Sequence, residues 1–123
     1  MFQETFCCYK FDEFLLYPDE RLLLRNGKRV NLRGKDFDVL VYPVKKQKRL
    51  VTHQELLKEV WQGAFVEEGN ITTSISKIRK VLGDNSRSPK YIESIKGYGY
   101  RFLLKTETAI HLEQEKDSVF AFR

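Results

Sequence analysis

The sequence has few of the residues on which metal sites, disulfide frameworks and most hydrolytic active sites depend. Its 123 residues include two cysteines and two histidines. Cys7 and Cys8 are adjacent, so a bridge between them would be strained, and they form neither a disulfide framework nor a zinc-ligand set. His53 and His111 belong to no Ser/His/Asp or Cys/His arrangement that we can identify. We therefore predict no cofactor, no metal site and no enzymatic activity.

Long apolar runs are also absent. No run approaches the ~20 residues that a helix needs to cross a bilayer, and the first residues lack the basic region and apolar core of a signal peptide. A hydrophobic content of 41% with 32% charged residues is typical of a globular protein with its own core. These features predict one domain in the cytoplasm.

Residues 70–82 form the stretch that is most informative about function. Its apolar residues recur at the spacing of a helix with one buried face, and they are Ile71, Ile75, Ile78 and Leu82. The opposite face has hydroxyls and cations and no carboxylate, and its members are Thr72, Thr73, Ser76, Lys77, Arg79 and Lys80. A helix that only covers a core usually shows paired Glu and Lys outside. The face therefore suits a polyanion, with an ordinary basic, solvated helix as the alternative.

Positive charge is concentrated in the same part of the chain. The formal net charge is +5, and residues 70–105 contain eight basic residues against two acidic ones. Such a local excess is expected where phosphate groups are neutralised.

Two further helices are predicted before this stretch. Residues 35–46 have helical spacing, but Pro43 predicts a kink or an end near Tyr42. A second helix begins at Thr52, which forms a capping box with Glu55. Trp61 near its end belongs to the core or reaches a phosphate. The loop 62–69 joins this helix to the basic one, which is a helix-turn-helix arrangement with a lengthened turn.

Short strands are predicted on both sides of the helices. The first third has four, at residues 9–11, 14–16, 22–25 and 28–32, and Asn26-Gly27 predicts a tight hairpin turn. Residues 91–95 and 100–104 form a second hairpin around residues 96–99. Its tip is either a plain turn or a wing beside the basic helix, where Lys96 and Arg101 would lie near a minor groove. The segment 106–123 is a short helix, an ordered extension or the start of a longer protein.

Residues 9–104 resemble the winged-helix DNA-binding effector domain of the OmpR/PhoB class. The resemblance rests on five blocks: Leu32-x-x-x-x-Phe37-x-x-Leu40; Leu50-Val51-Thr52-x-x-Glu55-Leu56-Leu57-x-x-Val60-Trp61; Val66-Glu67-Glu68; Ile75-x-x-Ile78-Arg79-Lys80-x-Leu82-Gly83-Asp84; and residues 91–102, Tyr-Ile-Glu-Ser-Ile-Lys-Gly-Tyr-Gly-Tyr-Arg-Phe. The sequence of loop 62–69 is similar to that of a CadC/ToxR-like subgroup, whose members carry the domain at the N-terminus. The nearness of Met1 to the first strand agrees with this. The chain departs from the family pattern at Arg33-Gly34 and at Pro43.

The resemblance implies an α+β fold, a winged helix-turn-helix with an N-terminal four-stranded antiparallel sheet, a three-helix bundle and a C-terminal β-hairpin wing. It implies base contacts by Thr72, Thr73 and Lys77. It implies contacts to the DNA backbone by Trp61, Asn70, Ser74, Ser76, Arg79 and Lys80. It implies a wing carrying Lys96, Tyr98 and Arg101. It also implies that loop 62–69 touches RNA polymerase, as in some members.

The leading hypothesis is therefore sequence-specific binding of double-stranded DNA by a bacterial transcriptional regulator, in a two-component-like form of signal transduction and with a homodimer on repeated half-sites as one arrangement. The alternative is a winged-helix module for protein-protein interaction. We expect the DNA-binding domain to span residues 1–105 and the segment 106–123 to be a tail or the start of a linker.

Overall fold

The computed structural model describes residues 5–62 and 69–112. The strands are β1 (Thr5–Phe11), β2 (Phe14–Tyr17), β3 (Leu22–Arg25), β4 (Lys28–Arg29), β5 (Leu50–Thr52), β6 (Ile92–Ile95), β7 (Gly99–Phe102) and β8 (Glu107–Leu112). The helices are α1 (Gly34–Lys45), α2 (His53–Trp61) and α3 (Gly69–Leu82). The chain divides into two compact units, one from Met1–Asn31 with Thr106–Arg123 and one from Leu32–Lys105.

The first unit is an antiparallel sheet with the strand order β4-β3-β2-β1-β8. The predicted tight turn is present between β3 and β4, where Asn26 and Gly27 have φ of 51° and 79°. Positive φ at both residues is the requirement of a two-residue hairpin turn. Buried residues of this unit pack as a cluster of Cys8, Tyr17, Leu22 and Leu24.

The four predicted N-terminal strands are present, and in the described residues the sheet has a fifth that was not predicted. The fifth strand, β8, pairs antiparallel with β1 from Thr5↔Leu112 to Lys10↔Glu107. Of the alternatives for the C-terminal segment, the ordered extension therefore holds through Leu112, and residues 113–123 lie outside the described part. The pairing joins residues about a hundred positions apart, which local sequence patterns cannot reveal.

The second unit contains the three helices, with α1 contacting both α2 and α3. Of the predicted kink or end near Tyr42, the end is wrong, because the helix continues to Lys45 with Pro43 in its last turn. There the proline removes only one backbone donor, and the Lys46 N–H still donates to the carbonyls of Tyr42 and Pro43. None of the helices that the structure describes is long and apolar enough to cross a membrane.

A three-stranded sheet with the order β5-β7-β6 completes this unit. The predicted hairpin is β6 and β7, while β5 was not predicted because three residues give too little periodicity. Gly99 of β7 pairs with Thr52 of β5, and a Cβ atom at Gly99 would collide with the Val51 carbonyl and lie 2.8 Å from Thr52 Cα. The three helices followed by this hairpin form the winged helix-turn-helix arrangement that the sequence predicted.

Candidate nucleic-acid interface

The amphipathic character of α3 agrees with the prediction. Its inward residues are Ile71, Ile75, Ile78 and Leu82, each exposing 2% or less of its surface. The exposed residues on the remaining faces are Asn70, Thr72, Thr73, Ser76, Lys77 and Lys80. No acidic residue belongs to α3. The helix therefore presents hydroxyls, an amide and cations to the outside.

Ser74 lies on the inner side of α3 and not with the exposed residues. It exposes 4% of its surface, and its hydroxyl donates to Asp36 Oδ1 at 2.6 Å. The helical spacing already indicated this, since position 74 lies three residues after Ile71 and four before Ile78. The family resemblance had suggested a phosphate contact instead, and the burial of Ser74 removes it from the candidate interface.

Asp36 brings a carboxylate to the edge of this interface. It lies in the first turn of α1, and its Oδ2 is 3.6 Å from Lys77 Nζ. The carboxylate thus contacts both Ser74 and Lys77. The sequence of α3, which contains no acidic residue, did not indicate that a carboxylate lies beside it. Asp36 is about forty positions away from Ser74 and Lys77 in the chain.

Arg79 and Arg101 are engaged within the second unit. The Arg79 Nη2 donates to the Ile92 carbonyl at 2.7 Å and to Ser94 Oγ at 3.1 Å. The Arg101 Nη1 is 3.3 Å from Glu93 Oε1, and Arg101 lies within β7 and not at the hairpin tip. Both side chains brace β6 and β7, so their predicted roles at DNA would require them to give up or share these bonds.

The hairpin tip, residues 96–98, presents a cation and an aromatic ring. Lys96 is exposed, and Tyr98 exposes 64% of its surface. The turn is closed by the Tyr98 N–H, which donates to the Ile95 carbonyl at 2.9 Å, and by Gly97 with φ of 82°. The Tyr98 carbonyl accepts the His53 N–H at 3.1 Å, which ties the tip to the start of α2.

The start of α2 is a hydrogen-bonded cap, as predicted. Thr52 Oγ1 accepts the Glu55 N–H at 3.0 Å, and Glu55 Oε1 accepts the Thr52 N–H at 3.2 Å. Glu55 Oε2 accepts the Tyr42 hydroxyl at 2.8 Å. Burial, together with the hydrogen bond and charge of Glu55, raises the pKa of Tyr42 to about 12. Burial acts to raise the pKa of Glu55 as well, but the bonds from Tyr42 and Thr52 and nearby cations lower it overall.

The far end of α2 carries Trp61, which is half-buried. This exposure is compatible with either of its two predicted roles. The neighbouring Val60 carbonyl accepts Lys35 Nζ at 2.9 Å, so this helix end has a cation beside it, as its dipole favours.

Asp84 is a structural residue that sequence reasoning missed. After Gly83, whose φ is 73°, the Asp84 Oδ1 accepts the Lys90 N–H at 2.7 Å. Its Oδ2 accepts the N–H groups of Tyr91 at 3.2 Å and Ile92 at 2.9 Å. One carboxylate thus fastens the end of α3 to the start of β6, which holds the helix and the hairpin in a fixed relation.

Comparison with known proteins identifies transcriptional regulators as relatives of this chain. A family model described as "Transcriptional regulatory protein, C terminal" matches residues 27–102. The transcriptional regulator HilA of Salmonella typhi is 37% identical over 94 residues, which are 76% of this chain and 17% of that protein. The chain thus spans less than a fifth of that relative.

Solved structures show the same architecture. The DNA-binding domain of E. coli CadC superposes with a TM-score of 0.70 at 27% identity, covering 86% of this chain and 98% of that one. The Klebsiella pneumoniae RstA DNA-binding domain, solved in complex with the RstA box, gives a TM-score of 0.69 at 26% identity over 78% of this chain and 96% of that one.

Proposed function

Because the chain belongs to the OmpR/PhoB-type family of DNA-binding domains of transcriptional regulators, we propose that it binds double-stranded DNA sequence-specifically. In this proposal α3 lies in the major groove, and the tip of the β6-β7 hairpin lies at the adjacent minor groove. The family is one of DNA-binding domains and not of enzymes. Binding to DNA in a bacterium would take place in the cytoplasm.

The observation that carries the proposal is the composition of the exposed face of α3. It has two exposed lysines, Lys77 and Lys80, and short hydroxyls, and acidic residues are absent from the helix. Lysines neutralise phosphates and release counterions, which supplies affinity for any sequence. Hydroxyl, methyl and ammonium groups can read base edges, which supplies discrimination.

Each exposed residue has a role in the proposal. Thr72, Thr73 and Lys77 read base edges. The DNA backbone is contacted by Trp61, Asn70, Ser76 and Lys80, and by Arg79 through a donor that it keeps beside its bonds to β6. Lys96 and Tyr98 enter the minor groove, and Arg101 braces the strand behind them.

A duplex titration at two salt concentrations tests the proposal. The logarithm of the association constant should fall against the logarithm of salt concentration with a slope of about −0.9 for each phosphate neutralised. Contacts by Lys80 and Lys96 alone would give a slope near −2, which is roughly a tenfold loss of affinity between 50 and 200 mM salt. Binding that does not respond to salt would instead support the alternative, a winged-helix module for protein partners.

Selection from a random duplex pool then tests specificity. A recovered consensus would give the site that α3 reads, and two copies at a fixed spacing would indicate a homodimer on repeated half-sites. A pool that shows no enrichment after selection would contradict sequence-specific binding. The proposed contact with RNA polymerase falls on loop 62–69, most of which lies outside the described residues, and it requires a separate binding measurement with the polymerase.

A further inference from the structure

The Asp36 carboxylate joins two neighbouring side chains of α3. Its Oδ1 accepts the Ser74 hydroxyl at 2.6 Å, and its Oδ2 lies 3.6 Å from Lys77 Nζ. We infer that Asp36 is a positioning residue for DNA discrimination, which holds Lys77 towards base edges and opposes its use on the phosphates of arbitrary sequences. The inference rests on the proposed function, because it requires α3 to face DNA.

The carboxylate is held in place by its surroundings. Ser74 is 4% exposed, so its hydroxyl has a fixed position and directs one carboxylate oxygen inward. Asp36 lies in the first turn of α1, where the helix dipole favours a negative charge. Only the second oxygen is then available to Lys77. The negative charge is therefore a fixed part of the interface and not a mobile surface group.

A contribution to the stability of the fold does not explain why this ion pair is present. The Lys77 side chain is 62% exposed and the Asp36 side chain 24% exposed, and such pairs contribute little to folding because water and salt screen them. A carboxylate beside a DNA-facing lysine also repels phosphates. The Asp36 carboxylate therefore lowers affinity for DNA of every sequence, and its benefit must lie in discrimination between sequences.

The chemistry of the ammonium group supports that role. Lysine has three donors on a flexible stem, so one donor can remain with Asp36 while the others reach acceptors such as guanine O6 and N7. Contact with a phosphate would instead move the Lys77 ammonium group away from the Asp36 carboxylate. Holding the side chain before binding also reduces the entropy lost when it contacts a base.

The test compares Asp36→Asn with the wild-type 123-residue chain, using a duplex recovered by selection and a scrambled duplex of the same composition. The amide oxygen can still accept from Ser74, so the fold should be kept, while the charge that holds Lys77 is lost. We expect affinity for the scrambled duplex to rise several-fold, and its salt slope to steepen by about 0.9 as Lys77 takes up a phosphate. Affinity for the selected duplex should rise less, so the ratio of the two affinities falls.

Two controls separate positioning from a simple change of charge. Glu59→Gln removes a negative charge from the exposed surface of α2, where that charge acts on Tyr42, and it should leave the affinity ratio unchanged. In a Lys77→Ala background, Asp36→Asn should raise both affinities equally. If Asp36→Asn leaves the ratio and the slope as in the wild type, or changes them no more than Glu59→Gln does, the inference is overturned.

A second variant covers the case in which Asp36→Asn does not fold, as judged by thermal unfolding. Ser74→Ala frees the carboxylate without changing the net charge, and it should lower the affinity ratio in the same direction by a smaller factor. An unchanged ratio with Ser74→Ala would also overturn the inference. Failure of the proposed function is seen separately, because the wild-type chain itself would then show no salt-dependent binding to either duplex.

Discussion

The two helices of the helix-turn-helix, α2 and α3, use their polar side chains in opposite ways. At the start of α2, its cap residue Thr52 and Glu55 bond to each other, and Glu55 also accepts from Tyr42. On α3, Thr73 bonds only to its own helix, and Lys77 has one carboxylate at 3.6 Å. The difference teaches that Thr52 and Glu55 stabilise the start of α2, while the exposed polar groups of α3 remain accessible for a ligand. Ser74 and Arg79 are the exceptions on α3, because both bond to neighbouring elements. Four substitutions can break or sharpen this contrast.

The largest effect is expected from Lys77→Ala on DNA recognition. Loss of a base contact should reduce discrimination between matched and mismatched duplexes by about 1 to 3 kcal/mol, while the free energy of unfolding changes by less than about 0.5 kcal/mol. Competition binding with single-base variants measures the first quantity and urea unfolding the second. Lys96→Ala is the matched control, since a wing cation should weaken all duplexes evenly. Unchanged discrimination with Lys77→Ala would remove that residue from the base-contacting set.

Tyr42→Phe tests the polar cluster at the start of α2. Losing the hydrogen bond to Glu55 should lower the free energy of unfolding by about 1.5 kcal/mol near neutral pH, because the acceptor is ionised. DNA discrimination should not change. Urea unfolding of the wild type and the variant gives the comparison, and a variant as stable as the wild type would show that the 2.8 Å bond contributes nothing.

The same cluster predicts how stability depends on pH. The pKa of Tyr42 is raised to about 12 in the folded chain from about 10 in an unfolded one, so its contribution is complete below pH 10 and is lost as pH rises towards 12. The pKa of Glu55 is lowered by folding, so its contribution is present above about pH 4.3 and is lost as pH falls below that value. In Tyr42→Phe the alkaline loss should be smaller than in the wild type.

Thr52→Ala should cost about 1 kcal/mol of stability, because the first turn of α2 loses its cap. Thr72→Ala on α3 is the matched control for a threonine-to-alanine change. It should leave the free energy of unfolding unchanged or slightly raised, because alanine has the higher helix propensity. Equal destabilisation by the two variants in urea unfolding would remove the contrast between the helices.

The smallest effect is expected from Thr73→Val. The Thr73 hydroxyl proton is used in a hydrogen bond to the Gly69 carbonyl at 3.0 Å, so we expect the methyl group to make the DNA contact, against a thymine methyl. Valine keeps that methyl, and affinity for the selected duplex should change by less than about 0.5 kcal/mol. Thr73→Ser, which keeps the hydroxyl and removes the methyl, should weaken binding more, and the reverse order would show that the hydroxyl is what DNA contacts.

Local patterns account for the parts of this structure that the sequence could predict. The capping box of Thr52 and Glu55 and the inward stripe of α3 are set by spacings of three and four residues. The Asn26-Gly27 turn follows from the φ angles that those residues adopt. Each of these features is decided by neighbours in the chain, so a single sequence contains enough information for it.

Features that depend on distant residues could not be predicted in the same way. The pairing of β8 with β1 and the contact of Asp36 with Lys77 join segments that only the folded chain brings together. Pro43 shows a limit of a local rule, since the end of α1 that it predicted near Tyr42 is not present and the helix continues to Lys45. The candidate base-contacting residues remain predictions from the family resemblance, with α3 exposing the side chains that they require.

The links between α2, α3 and the hairpin also bear on the DNA. The Tyr98 carbonyl is bonded to the His53 N–H, Arg79 to the Ile92 carbonyl, and Gly99 has no room for a side chain against β5. Because α3 and the hairpin tip are fastened together in this way, the distance between their contacts along the duplex is fixed. One inserted base pair between the two contacts would displace the second by about 3.4 Å. The DNA would have to absorb that mismatch by bending.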